Sequence, residues 1–423
     1  ANDEIVRDAA TGLPLLVSIT SIERYRRTLL FDRQGLAPAE ARARGGGATQ
    51  FSIAGGDPEA RVTRTDFSPF IQDDWRVRPD LTFSLGLRYE RQNNIDGLLD
   101  FAPRVAFAYA LGGTGGAGGG GGQRRPQQTV IRGGFGVFYD RVGENLSLQA
   151  DRFDGTTQQQ FVVTTASENG TQILNLFPAV PSVETLTAFA VPQTVRRVAD
   201  DIRAPYTMQA ALSVERQLPC RITLSVNFIS ARTLHVLRSR NVNAPLPGTF
   251  IPGVSAGIRP LPGAGNIFRY ESSGRFNQNQ LIVSVNNRFS REFTLFANYV
   301  LNRARSDTDG AGNFPVNQYD LRTEYGRSSQ DIRHRFFLGG AINALPWGIR
   351  LNPFVVANSG RPFNITTGRD ANGDSLFTER PAFAVDPAKA GVRVTPFGSF
   401  DPNPVPGQPI IPRNYGTGPS FFT

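Results

Sequence analysis

Residues 81–90 read Leu-Thr-Phe-Ser-Leu-Gly-Leu-Arg-Tyr-Glu. The odd positions (Leu81, Phe83, Leu85, Leu87, Tyr89) are apolar, and the even ones (Thr82, Ser84, Gly86, Arg88, Glu90) are small or polar. Successive side chains on a strand point to opposite faces, so this stretch has one apolar face and one wet face. The pattern recurs along the chain, and no helical stretch of comparable quality competes with it.

Period-two alternation bounded by turn residues predicts strands at 14–31, 61–77, 81–91, 104–111, 128–140, 205–217, 221–232, 275–289, 293–304, 331–344 and 349–358. Most are about as long as the 9–11 residues that a tilted membrane-crossing strand needs. Parallel strands buried under helices would read as continuous apolar runs, which these do not. The fold class expected is therefore all-β: an antiparallel transmembrane β-barrel, of which about 11 strands are visible.

The connections sort by length. Tight hairpins are expected at Arg78-Pro79-Asp80, Leu218-Pro219-Cys220, Ser290-Arg291-Glu292 and Leu345-Pro346-Trp347-Gly348. The glycine-rich 112–127 stretch reads as one more hairpin, lengthened by a flexible insert. Long excursions alternate with them at 32–60, 92–103, 141–204, 233–274, 305–330 and 359–423. Short periplasmic turns at one end and long extracellular loops at the other are the layout of an outer-membrane barrel. The whole of 1–423 is expected to be a single barrel region, with 141–204, 233–274, 305–330 and 359–423 as its long loops.

Composition agrees. Hydrophobic residues make up 39% of the 423, so a spanning apolar helix is not expected, whereas a barrel needs lipid-facing residues only at alternate positions. Cys220 is the only cysteine, which excludes an intrachain disulfide and any multi-cysteine metal site. The net charge is +9, and Lys389 is the only lysine. Because the arginines are scattered and form no basic block, nucleic acid is not an expected partner. Residues 1–8 are polar and have no apolar signal core, and the sequence is expected to begin inside a longer protein.

Several segments carry a family resemblance. Phe70-Ile71-Gln72-Asp73-Asp74-Trp75-Arg76-Val77 followed by 81–90 resembles a signature of TonB-dependent outer-membrane receptors of the Oar-like branch. Phe101-Ala102-Pro103-Arg104, the run Val130 to Asp140, Asp331-Ile332-Arg333-His334-Arg335-Phe336 and Asn358-Ser359-Gly360-Arg361-Pro362-Phe363 are similar to the same family in order and spacing. The resemblance runs from about residue 60 to the end of the sequence. It implies a barrel of about 22 strands with a plugged lumen. It also implies import of a large ligand (siderophore, glycan or peptide) with energy delivered by the TonB complex. Outer-membrane lipid and lipopolysaccharide would surround the barrel. No plug, TonB box or N-terminal domain is recognisable, and the chain is expected to be a barrel fragment that lacks the plug and terminal strands. Two other readings compete: a passive structural or adhesive outer-membrane barrel, and a soluble all-β binding module.

Chemistry-bearing motifs are few. Gly253-Val254-Ser255-Ala256-Gly257 fits the nucleophile-elbow pattern and Gly113 to Gly118 fits a dinucleotide pattern, but both lie in loop-like tracts with no helix to follow. His235 and His334, the two histidines, are far apart in sequence. No paired His, Cys or carboxylate constellation supports an enzyme. Asp370-Ala371-Asn372-Gly373-Asp374, with Glu379 downstream, is the exception. It places oxygen donors at alternate positions around a Gly-aided turn, as calcium loops do, although its Gly and Glu spacings are not those of an EF-hand. Asp370, Asn372, Asp374 and Glu379 are therefore the candidate Ca2+ ligands; no other cofactor is expected. Asp307, Asp309 and Asn313 read as a looser, solvated acidic loop. Tyr89, Phe107, Tyr109, Phe138, Tyr139, Tyr299 and Trp347 are expected near strand ends as interfacial aromatics.

Overall fold

The computed structural model describes residues 19–97, 99–112, 129–165, 167, 169–189, 192–219, 222–252, 254–288, 293–343, 346, 349–405 and 407–423. The glycine insert at 113–128, the turns at 220–221, 289–292 and most of 344–348, and the start of the first expected strand lie outside the described residues.

One antiparallel meander dominates. Its strands are β1 (Phe70–Arg78), β2 (Leu81–Tyr89), β3 (Phe101–Leu111), β4 (Thr129–Tyr139), β5 (Tyr206–Leu218), β6 (Ile222–Asn241), β7 (Ile267–Arg288), β8 (Phe293–Ser306), β9 (His334–Ile342), β10 (Phe354–Asn358) and β11 (Phe421–Phe422). They are hydrogen-bonded in sequence order, β1 through β11. Two further short strands join the sheet off this path: Gly326–Arg327 against β8, and Val195–Val198 parallel to β7.

The register explains why the alternation is so regular. Trp75, Phe83, Phe107, Gly133, Leu212, Phe228, Leu281 and Leu301 stand opposite one another across eight consecutive strands. A second row runs Tyr109, Ile131, Val214, Val226, Val283, Tyr299, Phe336, Ala357 and Phe422. These two rows form a continuous belt without a charged side chain; Asp73 and Arg303 share the face one row nearer the loops, in line with Leu85. The belt's single gap, Gly133, lies where an added Cβ would stand 2.5 Å from the Phe107 ring. The opposite face carries Ser84, Ala106, Gly134, Ala211, Gln280 and Asn302 in one row, with Ile229 as an apolar exception. An Arg132–Glu215 ion pair of 3.2 Å spans that face.

Belt side chains are open to the surroundings: Leu85 is 52% exposed, Leu212 50% and Phe228 48%. Apolar surface of this extent is stable only when a nonaqueous medium covers it. Correspondingly, the buried apolar residues gather in the loops. Phe161, Val163, Ile173, Leu174 and Leu186 form one small core, and Val142, Leu146, Ile202 and Tyr270 another.

Several expectations are corrected. The described part of 14–31 is a helix, Ser21–Arg33, not a strand. Thr20 caps it by accepting the Glu23 N–H, and Glu23 pairs with Arg26 and Arg27 at helical spacing, local terms that outweigh an irregular alternation. Within 61–77, the long strand starts only at Phe70; Asp66–Phe67 is a separate short strand paired with Arg91–Gln92. The 233–274 loop shrinks to 242–266, because β6 and β7 continue past a register shift beside His235, whose φ is +58°. The 141–204 excursion contains helices Glu144–Arg152, Gly170–Leu174 and Val183–Ala188, and strand Gln158–Thr164 pairs with Gln50–Gly56. The 359–423 stretch folds a three-stranded sheet and ends in β11 on the main sheet.

Candidate functional site

The long connections meet at one end of the sheet. Beyond the His235 shift, β6 and β7 rise together, pairing Arg238 with Glu271 and Asn241 with Phe268. One face here is charged, with Arg238, Arg240, Arg269 and Glu271, and Glu271 accepts from Arg240 and Arg269; the other carries Ser239 and Asn241 beside Phe268 and Tyr270. Their paired tips carry three loops, at 242–266, 307–333 and 359–420.

Buried polar groups lock these loops together. Asn241 Nδ2 donates to Asn266 Oδ1 at 2.9 Å and to the Asp374 carbonyl at 3.1 Å. Gln318 accepts the Asn241 N–H at 2.8 Å and donates to Asp374 Oδ2 at 2.8 Å. Arg259 donates to the carbonyls of Asn243 and Gly373. Tyr319 donates its hydroxyl to the Ala244 carbonyl at 2.6 Å. Arg380 and Glu324 form an ion pair of 3.0 Å that is almost wholly buried.

Asp307 and Asp309 are part of this assembly and not solvated, contrary to the sequence reading. Asp307 lies 2.8 Å from the buried Arg238, Asp309 pairs with Arg413, and the Asn313 carbonyl accepts the Ser239 N–H. Nothing local in the sequence announces these partners.

The 370–379 turn sits at the centre. Gly373 has φ +74°, and a Cβ there would stand 2.6 Å from the Phe250 ring. Gly373→Ala should therefore destabilise the loop assembly by about 1–3 kcal/mol, through a disfavoured backbone and a clash with Phe250. Faster proteolytic cleavage within 359–420, with the barrel intact, is the expected readout.

This turn brings three of the four proposed ligands together: one carboxylate oxygen each from Asp370, Asp374 and Glu379, all within 4.8 Å of one another. The Asp370 carboxylate accepts the N–H groups of Asp374 and Ser375, and Asp374 accepts that of Leu376. Glu379 Oε1 accepts those of Ala371 and Asn372. Asn372 is engaged as a brace: its Oδ1 accepts the Asp374 N–H, and its Nδ2 donates to the Val316 carbonyl and Asp374 Oδ2. Burial, with the neighbouring carboxylates, pushes Asp370 up to about 7 and Glu379 up to about 8; burial pushes Asp374 up to about 6. An open hollow of about 340 Å³, lined by Phe250, Val316, Tyr319, Asn372 and Glu379, gives access from outside.

The remaining candidates do not converge. Ser255 donates its hydroxyl to the Thr249 carbonyl, within a short strand, Ser255–Ala256. Residue 253 and the 113–118 glycine pattern lie outside the described residues. His334 Nδ1 is 2.8 Å from the Tyr299 hydroxyl, whereas His235 packs against Tyr206. Of the expected interfacial aromatics, Tyr89 and Tyr139 stand at the loop end, near Phe101 and Tyr206. Phe107 and Tyr299 instead lie within the belt, and Trp347 is outside the described residues.

With belt, turns and loops in place, the chain belongs to the outer membrane beta barrel domain family, whose sequence model matches residues 41–97 and 96–423. It is a bacterial outer-membrane protein, and the soluble-module reading falls with that membership. No curated protein matches the chain. Solved structures similar to it include the outer membrane transporter YddB from Escherichia coli, at 12% identity and a TM-score of 0.46, covering 73% of this chain and 35% of that one. A mutant of the ferric enterobactin receptor PfeA from Pseudomonas aeruginosa gives 11% identity and a TM-score of 0.42, covering 71% and 33%. The FrpB iron transporter from Neisseria meningitidis gives 9% and 0.39, covering 71% and 34%. The chain thus spans about a third of the length of these structures.

Proposed function

We propose that this chain is barrel wall and external loop cap of a TonB-dependent receptor of the Oar-like branch, which binds a large ligand outside and imports it. The observation that carries this reading is the cross-linking of the long loops at one end of a lipid-facing sheet, through Asn241, Gln318, Arg259 and the Arg380–Glu324 pair. A purely structural wall needs no such ordered assembly, whereas a binding site needs loops held in fixed relation. The residue pattern around Phe70 to Val77 and at Asn358 to Phe363 supports the Oar-like branch. The plug and the segment that engages TonB would lie in other parts of the full-length protein. Siderophore, glycan and peptide all suit a polar, aromatic-bearing loop surface, and no role as an enzyme is proposed.

The test is uptake. Cells expressing the full-length receptor should accumulate one class from a panel of labelled ferric siderophores, oligosaccharides and peptides. Accumulation should fall to background when TonB is deleted. Surface binding without TonB-dependent uptake of any class would favour the adhesive barrel.

A further inference from the structure

We propose that Asp370, Asp374 and Glu379 together hold one calcium ion, which clips the 359–420 segment to the two loops beside it. Four observations support the site. The three carboxylate oxygens converge within 4.8 Å. Asp374 is fully buried and Glu379 is 8% exposed. Glu379 Oε2 is buried with no hydrogen-bond partner, while its sister Oε1 is bound by two backbone amides. And among the described residues no arginine or lysine forms an ion pair with any of the three. The guanidinium groups whose charge reaches the cluster, Arg259 toward Asp370 and Asp374 and Arg369 toward Glu379, donate instead to backbone carbonyls and Asn266 and to the Pro402 carbonyl.

Buried charges are ordinarily paired or coordinate a metal. An orphaned, buried carboxylate oxygen beside two further carboxylates therefore lacks a cation. The donor set is all oxygen, which selects a hard ion over zinc or copper. Ligand number favours calcium over magnesium, because magnesium keeps several waters and usually takes only one or two carboxylates, whereas three converge here. Waters entering through the adjoining hollow would complete the coordination.

The site links loops distant in sequence. Asp374 is tied to Asn241 at the β6 tip and to Gln318 in the 307–333 loop, and Asn372 to Val316. An ion here would fix the relative position of three loops, which is the surface the receptor reading assigns to ligand capture. The external, ligand-facing role rests on that reading; calcium uptake by the purified protein does not, so the two fail separately.

The experiment uses the full-length receptor in detergent, stripped with EGTA, with heat-modifiable gel migration confirming a folded barrel. Titration calorimetry with CaCl2 should show one site in the wild type and none in Glu379→Gln, which keeps the acceptor for Ala371 and Asn372 but removes the charge. At a calcium concentration a hundredfold above Kd, the open-loop population falls about a hundredfold, so cleavage within 359–420 should slow by at least about tenfold in the wild type. Glu379→Gln should not respond. The proposal is overturned if the wild type takes up no calcium or if Glu379→Gln binds it equally.

Discussion

Phe228→Arg should destabilise the barrel by about 2–4 kcal/mol, the cost of a cation on the lipid face near the bilayer midplane. Phe228 is placed for the full effect. It sits in the centre of the apolar belt between Leu212 and Leu281, six residues along β6 from Ile222, and it is 48% exposed with no polar neighbour in its row. Its neighbour Asn227 faces the other way, opposite Ser213 and Ile282. Asn227→Arg should therefore cost far less, because that face is polar and watered. Urea unfolding of the full-length protein in lipid vesicles, followed by loss of heat-modifiable migration, compares the two. Equal losses would mean that the two faces meet the same medium.

Glu324→Gln should cost the loop assembly about 3–5 kcal/mol, because it leaves the Arg380 guanidinium buried without its counter-charge. Both side chains are almost wholly buried, and Glu324 also accepts the Val316 N–H. Arg380 keeps the Thr323 carbonyl and one amide oxygen as acceptors but no negative charge. The loss should appear as local opening of 307–333 and 359–420, with the barrel's own unfolding unchanged, since the pair lies beyond the strands. Amide hydrogen exchange separates local from global opening. Removing both charges in Glu324→Gln with Arg380→Met should recover most of the loss, a coupling that a double-mutant cycle measures. Independent, additive losses would contradict the pair's role.

What could be read in the sequence was whatever the membrane imposes. Leu81 to Tyr89, Tyr206 to Val214 and Phe293 to Leu301 alternate because one face of each strand meets lipid, and that solvent contrast writes a period of two directly into the residues. Where the contrast ends, so does the signal. Arg238, Arg240, Arg269 and Glu271 lie beyond a register shift on a charged face, and the face behind them mixes Ser239 and Asn241 with Phe268 and Tyr270, so β6 and β7 looked shorter than they are. The helix at Ser21–Arg33 depends on short-range terms, a Thr20 cap and Glu23 pairs, that a search for alternation overlooks. The same division holds at the site. The D-x-N-G-D spacing was visible because its residues are neighbours in sequence. Asn241, Arg259 and Gln318 were not, because what ties them to Asp374 and Gly373 is packing between loops more than 50 residues apart.

The most direct test of the transmembrane sheet is a cysteine scan along β5 in a Cys220→Ser background, using full-length protein in outer membranes and a water-soluble maleimide. Cysteines at Gln209, Ala211 and Ser213 should label, and those at Ala210, Leu212 and Val214 should be protected, in strict alternation. Labelling without a period of two would contradict a lipid-facing belt and the barrel built on it.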